Sequence, residues 1–272
     1  MKSKKFGFLF ATSALALSLA ACGGEESSED KLNDGKLVIG VTAGLHEELT
    51  ELAKEAAAKD GLEVEIKVFS DYVLPNTALA EGDLDVNNFQ TLPFLESFNE
   101  ERGEELVPVA DTILNPMGIY SEKYASMEEV PDGATFAIPS DATNGGRALT
   151  VLEAAGYIKL KEGVGINAMV YDVVENPHNF NIIELESAQL PIQLSEVDFA
   201  AINTNFALEA GLNPKTDSII LESSDSQFVN KIVVRAGEEE SEDLQKFLKA
   251  YQTEEIRNYI LETYDGAVIP GF

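Results

Sequence analysis

The stretch from Asp141 to Gly156, DATNGGRALTVLEAAG, holds the residues best suited to gripping a small charged ligand. It follows an apolar run, ATFAIPS (134–140), that predicts a strand. It then passes through Asp, Thr, Asn and two Gly into an apolar-periodic helix, RALTVLEAA, stopped by Gly156. Strand, polar glycine-containing loop and helix N-terminus together form an anion-binding geometry. The free N–H groups of the first turn face the loop, and the dipole favours negative charge there. Arg147 falls in that first turn, with Asn144 just before it, and a cation there opposes the dipole. The misplaced charge points to a ligand carboxylate, which guanidinium grips in a two-pronged fork. The competing reading is a surface arginine paired with one of the chain's many acids.

Other chemistries find little support. There is no G-x-S-x-G, no phosphate-binding loop and no zinc spacing. The single cysteine, Cys22, excludes an internal disulfide and a cysteine-based metal site. The two histidines, His46 and His178, lie far apart in sequence and form no cluster motif. Neither an enzyme nor a cofactor or metal protein is expected. The 48 acids are expected to be mostly a solvated surface.

Elements that can position a site alternate along the chain. LVIGVTA (37–43) and LEVEIKVF (62–69) predict strands around a helix at 45–61. TALAEG (77–82) predicts a helical turn, and LDVNNFQ (84–90), LVPVADT (106–112) and PMGIYS (116–121) predict strands. MVYDVV, FNIIELE, FAAINTN, SIILESS and KIVVRA continue the strand pattern, and residues 241–264 predict two helices. The alternation predicts an α/β fold with largely parallel sheets. Two such units with the chain crossing between them make a cleft, and open α/β sheets bind ligands beyond their strands' carboxyl ends. The polar loops there are DYVLPN (71–76), NNFQTLPF (87–94), DATNGGR (141–147), NTN (203–205) and VN (229–230).

Ahead of this body stands a basic start, MKSKK, then an apolar run too short for a comfortable membrane span. Leu19-Ala20-Ala21-Cys22 resembles the bacterial lipobox, in which the cysteine is lipidated and becomes the first mature residue. Residues 1–21 are therefore expected to be a lipoprotein signal peptide. Residues 22–36, acidic with Gly and Ser, are expected to be a flexible tether to the cell membrane. Hydrophobic content of 44% suits a body with a buried core. The net charge is −29, and losing the three cations Lys2, Lys4 and Lys5 takes it to −32. So acidic a surface repels nucleic acid and anionic membrane.

Several long strings in order carry a resemblance: YVLPNTALAEGDLDVNNFQTLPFL, NPMGIYSEKY, IPSDATNGGRALTVLEAAGYIKLK, VVENP, ESAQLP, VDFAAINTNFALEAGL and YDGAVIPGF. Together they resemble the NlpA family of lipoproteins, the methionine-binding components of ABC importers, from about residue 37 to the end. The resemblance implies a two-lobed type II periplasmic-binding-protein fold with a ligand cleft between the lobes. The lobes are expected at 37–115 plus 232–272 and at 116–231, with crossovers near 113–117 and 230–235. It implies that an amino acid, L-methionine foremost, is captured and delivered to a membrane permease and its ATPase at the extracytoplasmic face. Carried over by position, Arg147 grips the ligand carboxylate with Asn144 beside it. Asn203, Asn205 and Asn230 hold the amino and carboxylate groups, and Tyr72, Phe89 and Phe94 enclose the side chain. A thioether sits well against aromatic rings. The string FQTLPFL departs from the family's pattern at Thr91, usually His, and at Phe94, usually Tyr. Those departures leave D-methionine, a methionine-containing dipeptide or another amino acid as alternative ligands; separately, a surface lipoprotein with an adhesin or structural role is the alternative function.

Overall fold

The structure, a computed structural model, describes residues 31–272. Cys22, the leader and the tether up to residue 30 lie outside the described residues.

The chain enters the body before the first predicted strand. Leu32 is 0% exposed in the apolar core, and the Asp243 carboxylate accepts the Gly35 N–H at 2.7 Å. Residues 32–36, expected to belong to the tether, are thus folded. One apolar side chain in an acidic stretch is enough to dock it.

Strand β1 (Lys36–Thr42) leads to α1 (Leu45–Ala57), whose Leu45, Leu49, Ala53 and Ala57 recur at helical spacing and are buried. Glu47 and Glu48 at its start and Lys54 at its end complement the helix dipole. There follow β2 (Glu63–Phe69), α2 (Leu74–Ala80), β3 (Val86–Thr91), α3 (Leu92–Arg102) and β4 (Leu106–Leu114). The chain then crosses to β5 (Gly118–Tyr120), β6 (Thr135–Pro139), α4 (Ala142–Ala154), a small hairpin of β7 (Lys159–Leu160) and β8 (Val173–Glu175), and β9 (Asn181–Leu185). After β10 (Phe199–Ile202), α5 (Thr204–Glu209), α6 (Pro214–Asp217) and β11 (Ser218–Leu221), it returns to β12 (Val229–Arg235). It ends in α7 (Glu242–Tyr251), α8 (Glu254–Tyr264) and β13 (Ile269–Pro270).

Among the described residues the strands form a six-stranded sheet, β13-β4-β12-β3-β1-β2, and a five-stranded sheet, β11-β5-β10-β6-β9. Each is covered on both faces by apolar clusters, giving two α/β lobes. The sheets are mixed rather than largely parallel. β1 runs parallel to β2 and β3, and β6 to β9 and β10, but β12 runs antiparallel to β3 and β4, and β5 to β10 and β11. The crossovers explain this. A strand that returns from the other lobe enters the sheet from the end at which β4 left it.

The first crossover is residues 115–117. The second is 222–228, not 230–235: the apolar run KIVVRA is a central strand between β3 and β4. Residues 229–231, expected in the second lobe, are therefore hydrogen-bonded into the first sheet.

Two stability predictions follow from burial. Leu32→Ala is expected to lower unfolding free energy by about 2–5 kcal/mol in denaturant titration; no change would return residue 32 to the tether. His46, in the first turn of α1, is buried with its Nδ1 unpartnered among the described residues, and burial pushes its pKa from 6.5 to about 4. The unfolded chain takes up that proton at higher pH than the folded one. The stabilising effect of a neutral His46 is full above about pH 6.5 and is lost as pH falls towards 4. Between those limits it amounts to roughly 3 kcal/mol. Comparing His46→Gln with the unaltered chain at pH 7 and pH 4 isolates it, because the variant should lack this part of the pH slope.

Candidate ligand-binding site

A small cavity of about 30 Å³ lies where the lobes meet. All nine residues expected to bind ligand line it: Tyr72, Phe89, Thr91, Phe94, Asn144, Arg147, Asn203, Asn205 and Asn230. They come from both lobes and from the flanks of the crossovers. Gln90, Asn115 and Thr204 complete the lining and were not expected.

The stretch from Asp141 to Gly156 folds differently from its expected form. Helix α4 starts at Ala142, so TNGG is helix rather than loop. Asp141 is the N-cap and accepts the Asn144 N–H at 2.9 Å, so the anion at this helix N-terminus is the chain's own carboxylate. Burial pushes the Asp141 pKa up, opposed by its hydrogen bonds from Asn144. The two glycines serve close packing. A Cβ on Gly146 would lie 2.1 Å from the Ile166 carbonyl oxygen, and one on Gly145 2.8 Å from that of Pro139.

Arg147 therefore sits in the second turn, not the first, and is 2% exposed. Its Nε lies 3.1 and 3.2 Å from the two Glu222 oxygens, and its Nη2 donates to Glu222 Oε2 at 2.5 Å and to the Asn115 carbonyl at 2.7 Å. The Phe228 ring centroid lies 4.2 Å from the guanidinium carbon. The fork expected to grip a ligand is thus already occupied by a carboxylate of the second crossover. Nη1 has no partner among the described residues. Glu222 also accepts the Met117 N–H at 2.9 Å and the Ser226 hydroxyl at 3.3 Å, so it ties the two crossovers together. One acid among 48 gives no sequence signal of this kind. Asn115 had a faint one, as the residue before Pro116 at a lobe crossing.

Asn203 is the N-cap residue of α5 and Asn205 lies in its first turn, one step beyond the expected strand end. Thr204 between them donates to the Pro116 carbonyl at 2.5 Å. Asn230 lies in β12 opposite Thr91 and donates to the Phe89 carbonyl at 2.9 Å. Tyr72, from the first lobe, donates to Asn205 Oδ1 at 2.6 Å, and burial pushes its hydroxyl pKa well up. Its ring stands 4.9 Å from that of Phe206 and 5.9 Å from each of Phe89 and Phe94, which are 6.1 Å apart. Thr91 and Phe94 both line the cavity, so both departures from the resembled pattern fall within it.

The arrangement has one neutralised ion pair, several amides and an apolar aromatic end. No carboxylate lines the cavity, and among the described residues no group of three or more His, Cys, Asp or Glu is placed to hold a metal.

The profile of the NlpA lipoprotein family matches residues 37–272. The chain belongs to the NlpA lipoprotein family. It is 41% identical to the D-methionine-binding lipoprotein MetQ of Escherichia coli K12, over 98% of this chain and 99% of that one. A nutrient-binding protein of Burkholderia cenocepacia, solved bound to methionine, superposes with a TM-score of 0.85 at 43% identity, covering 87% of this chain and all of that one. Lipoprotein Tp32 of Treponema pallidum superposes with a TM-score of 0.84 at 38% identity, covering 87% and 99%. This NlpA-family chain thus shares a fold with a structure that holds an amino acid.

Removing Glu222's charge isolates the buried guanidinium. Glu222→Gln is expected to cost about 3 kcal/mol of stability, since a buried cation loses its counter-charge. Urea unfolding measures it, and a cost below about 0.5 kcal/mol would mean that solvent already screens the pair.

Proposed function

We propose that this family member is the substrate-binding lipoprotein of an ABC importer, and that it captures methionine, the L form foremost, in the cavity between its lobes. The observation that carries this is the sorting of the cavity into a polar end at Arg147 and an aromatic end at Tyr72, Phe89 and Phe94. The Arg147–Glu222 pair leaves the site close to neutral, which favours a ligand with no net charge: a zwitterion with an uncharged side chain. A thioether is polarizable and gains roughly 0.3–1.5 kcal/mol per aromatic contact. Methionine meets both conditions, and relatives named for methionine binding support the choice.

In this reading Cys22 carries the lipid, and the acidic segment holds the body outside the membrane. The lobes pivot at 115–117 and 222–228. The methionine carboxylate meets Arg147 Nη1, its amino group meets the amides, and Tyr72 reaches across to Asn205 as the lobes close. The closed form docks on a membrane permease driven by its ATPase. Binding without turnover is the expected activity; an enzyme would consume the ligand, and an adhesin would not close on it.

Arg147→Ala is expected to weaken methionine binding by about 2–5 kcal/mol in calorimetric titration of refolded, ligand-free protein. A loss under about 0.5 kcal/mol would remove Arg147 from the site. In the same titrations glutamate and lysine should bind at least about 2 kcal/mol more weakly than methionine, because each adds an uncompensated charge. Running L-methionine, D-methionine and glycyl-methionine side by side sets the ligand's hand and length.

A further inference from the structure

We infer that Asp141 is a positioning residue: through a buried chain of amides it turns Asn203 so that the site presents an oxygen acceptor to the ligand's ammonium group. The inference rests on the amino-acid reading above.

An asparagine side chain has nearly the same shape when its oxygen and nitrogen are exchanged, so an amide facing a ligand must be told which atom to present. Here a carboxylate does so. Asp141 accepts every hydrogen bond it makes: from the Asn144 backbone N–H at 2.9 Å, from Asn144 Nδ2 at 2.9 and 3.1 Å, and from the Ser187 hydroxyl at 3.4 Å. Asn144 is thereby fixed with its nitrogen towards Asp141 and its oxygen away. That oxygen accepts from Asn203 Nδ2 at 2.9 Å. Asn203 Oδ1 is left at the end of the chain, buried, without a partner among the described residues, on a residue that lines the cavity.

A second chain with the same logic starts from a backbone carbonyl. The Phe89 oxygen can only accept, so Asn230 turns its nitrogen to it at 2.9 Å. Asn230 Oδ1 then accepts from Asn115 Nδ2 at 3.3 Å, and Asn115 Oδ1 is the unpartnered end. Both chains begin at an obligate acceptor and end in an acceptor. The free donors complement them. Tyr72 occupies Asn205 Oδ1 and leaves Asn205 Nδ2 buried without a partner, and Arg147 keeps Nη1. The cavity thus offers two amide oxygens suited to an ammonium group and two donors suited to a carboxylate. With no carboxylate in the lining, recognition of the ammonium depends on those oxygens staying turned. Capping α4 needs only the bond from Asp141 to the Asn144 N–H, which leaves the side-chain bonds to Asn144 for the relay.

The test titrates the full chain in detergent, stripped of ligand by unfolding and refolding, with methionine and with its des-amino analogue 4-(methylsulfanyl)butanoate. Asp141→Asn keeps a good helix cap but lets the relay reverse. It is expected to weaken methionine about 10-fold or more while changing the des-amino acid less than about 3-fold. Asp141→Ser caps the helix but is too short to hold the Asn144 amide, and should show the same selective loss. In the Asp141→Asn background, Asn203→Asp should restore methionine binding, because the reversed relay donates to a carboxylate at 203; Asn203→Asp alone should not. Equal weakening of both ligands in Asp141→Asn and Asp141→Ser, or no weakening, overturns the relay and leaves the amino-acid reading standing. An unaltered chain that binds neither molecule overturns both.

Discussion

A guanidinium buried to 2% exposure must carry its counter-charge with it, and most of the site follows from how this chain supplies one. Arg147 stands on α4 of the second lobe, yet its partners are Glu222 from one crossover and the Asn115 carbonyl from the other. Glu222 in turn holds the Met117 N–H. The charge that faces the cleft is therefore built into the segments about which the lobes would turn. Because its charges cancel, the pair adds no net charge beside the cavity.

The rest of the cavity keeps polar groups in register without adding charge. Strand β3 is buried along its whole length although it reads VNNFQT, and the nitrogen of each of its three side-chain amides donates to another side chain. Asn76, Asn87 and Gln90 bond one another at 2.6–2.9 Å. A satisfied amide cluster of this kind rigidifies the strand end from which Phe89 and Thr91 line the cavity. Tyr72 joins that side to the other lobe through Asn205 and Phe206. Its hydroxyl bond to Asn205 and its ring contact with Phe206 cross to the second lobe, whereas its contacts with Phe89 and Phe94 stay within the first.

The α/β class, most strands and the two C-terminal helices were legible because apolar periodicity reports which face of each element is buried. So were the nine cavity residues, for a different reason: long ordered strings matched a family pattern whose positions carry over. The errors have physical causes. The start of α4 was missed because TNGG has poor helix propensity and no apolar period; Asp141's cap and two close backbone contacts stabilise it instead. Mixed strand direction was missed because pairing partners across a crossover leave no local mark. Glu222 was invisible because a carboxylate that pairs across 75 residues looks, in sequence, like every other surface acid. Sequence separation also hid the bond between Asn144 and Asn203, 59 residues apart, since each asparagine alone reads as a turn or cap.

The most direct test of the central claim is a crystal structure of the refolded protein with selenomethionine as the added ligand, read by selenium anomalous scattering. The account predicts one selenium peak among the rings of Tyr72, Phe89 and Phe94, with the ligand carboxylate at Arg147 Nη1. Selenium at the Arg147 end, or outside this cavity, would contradict it.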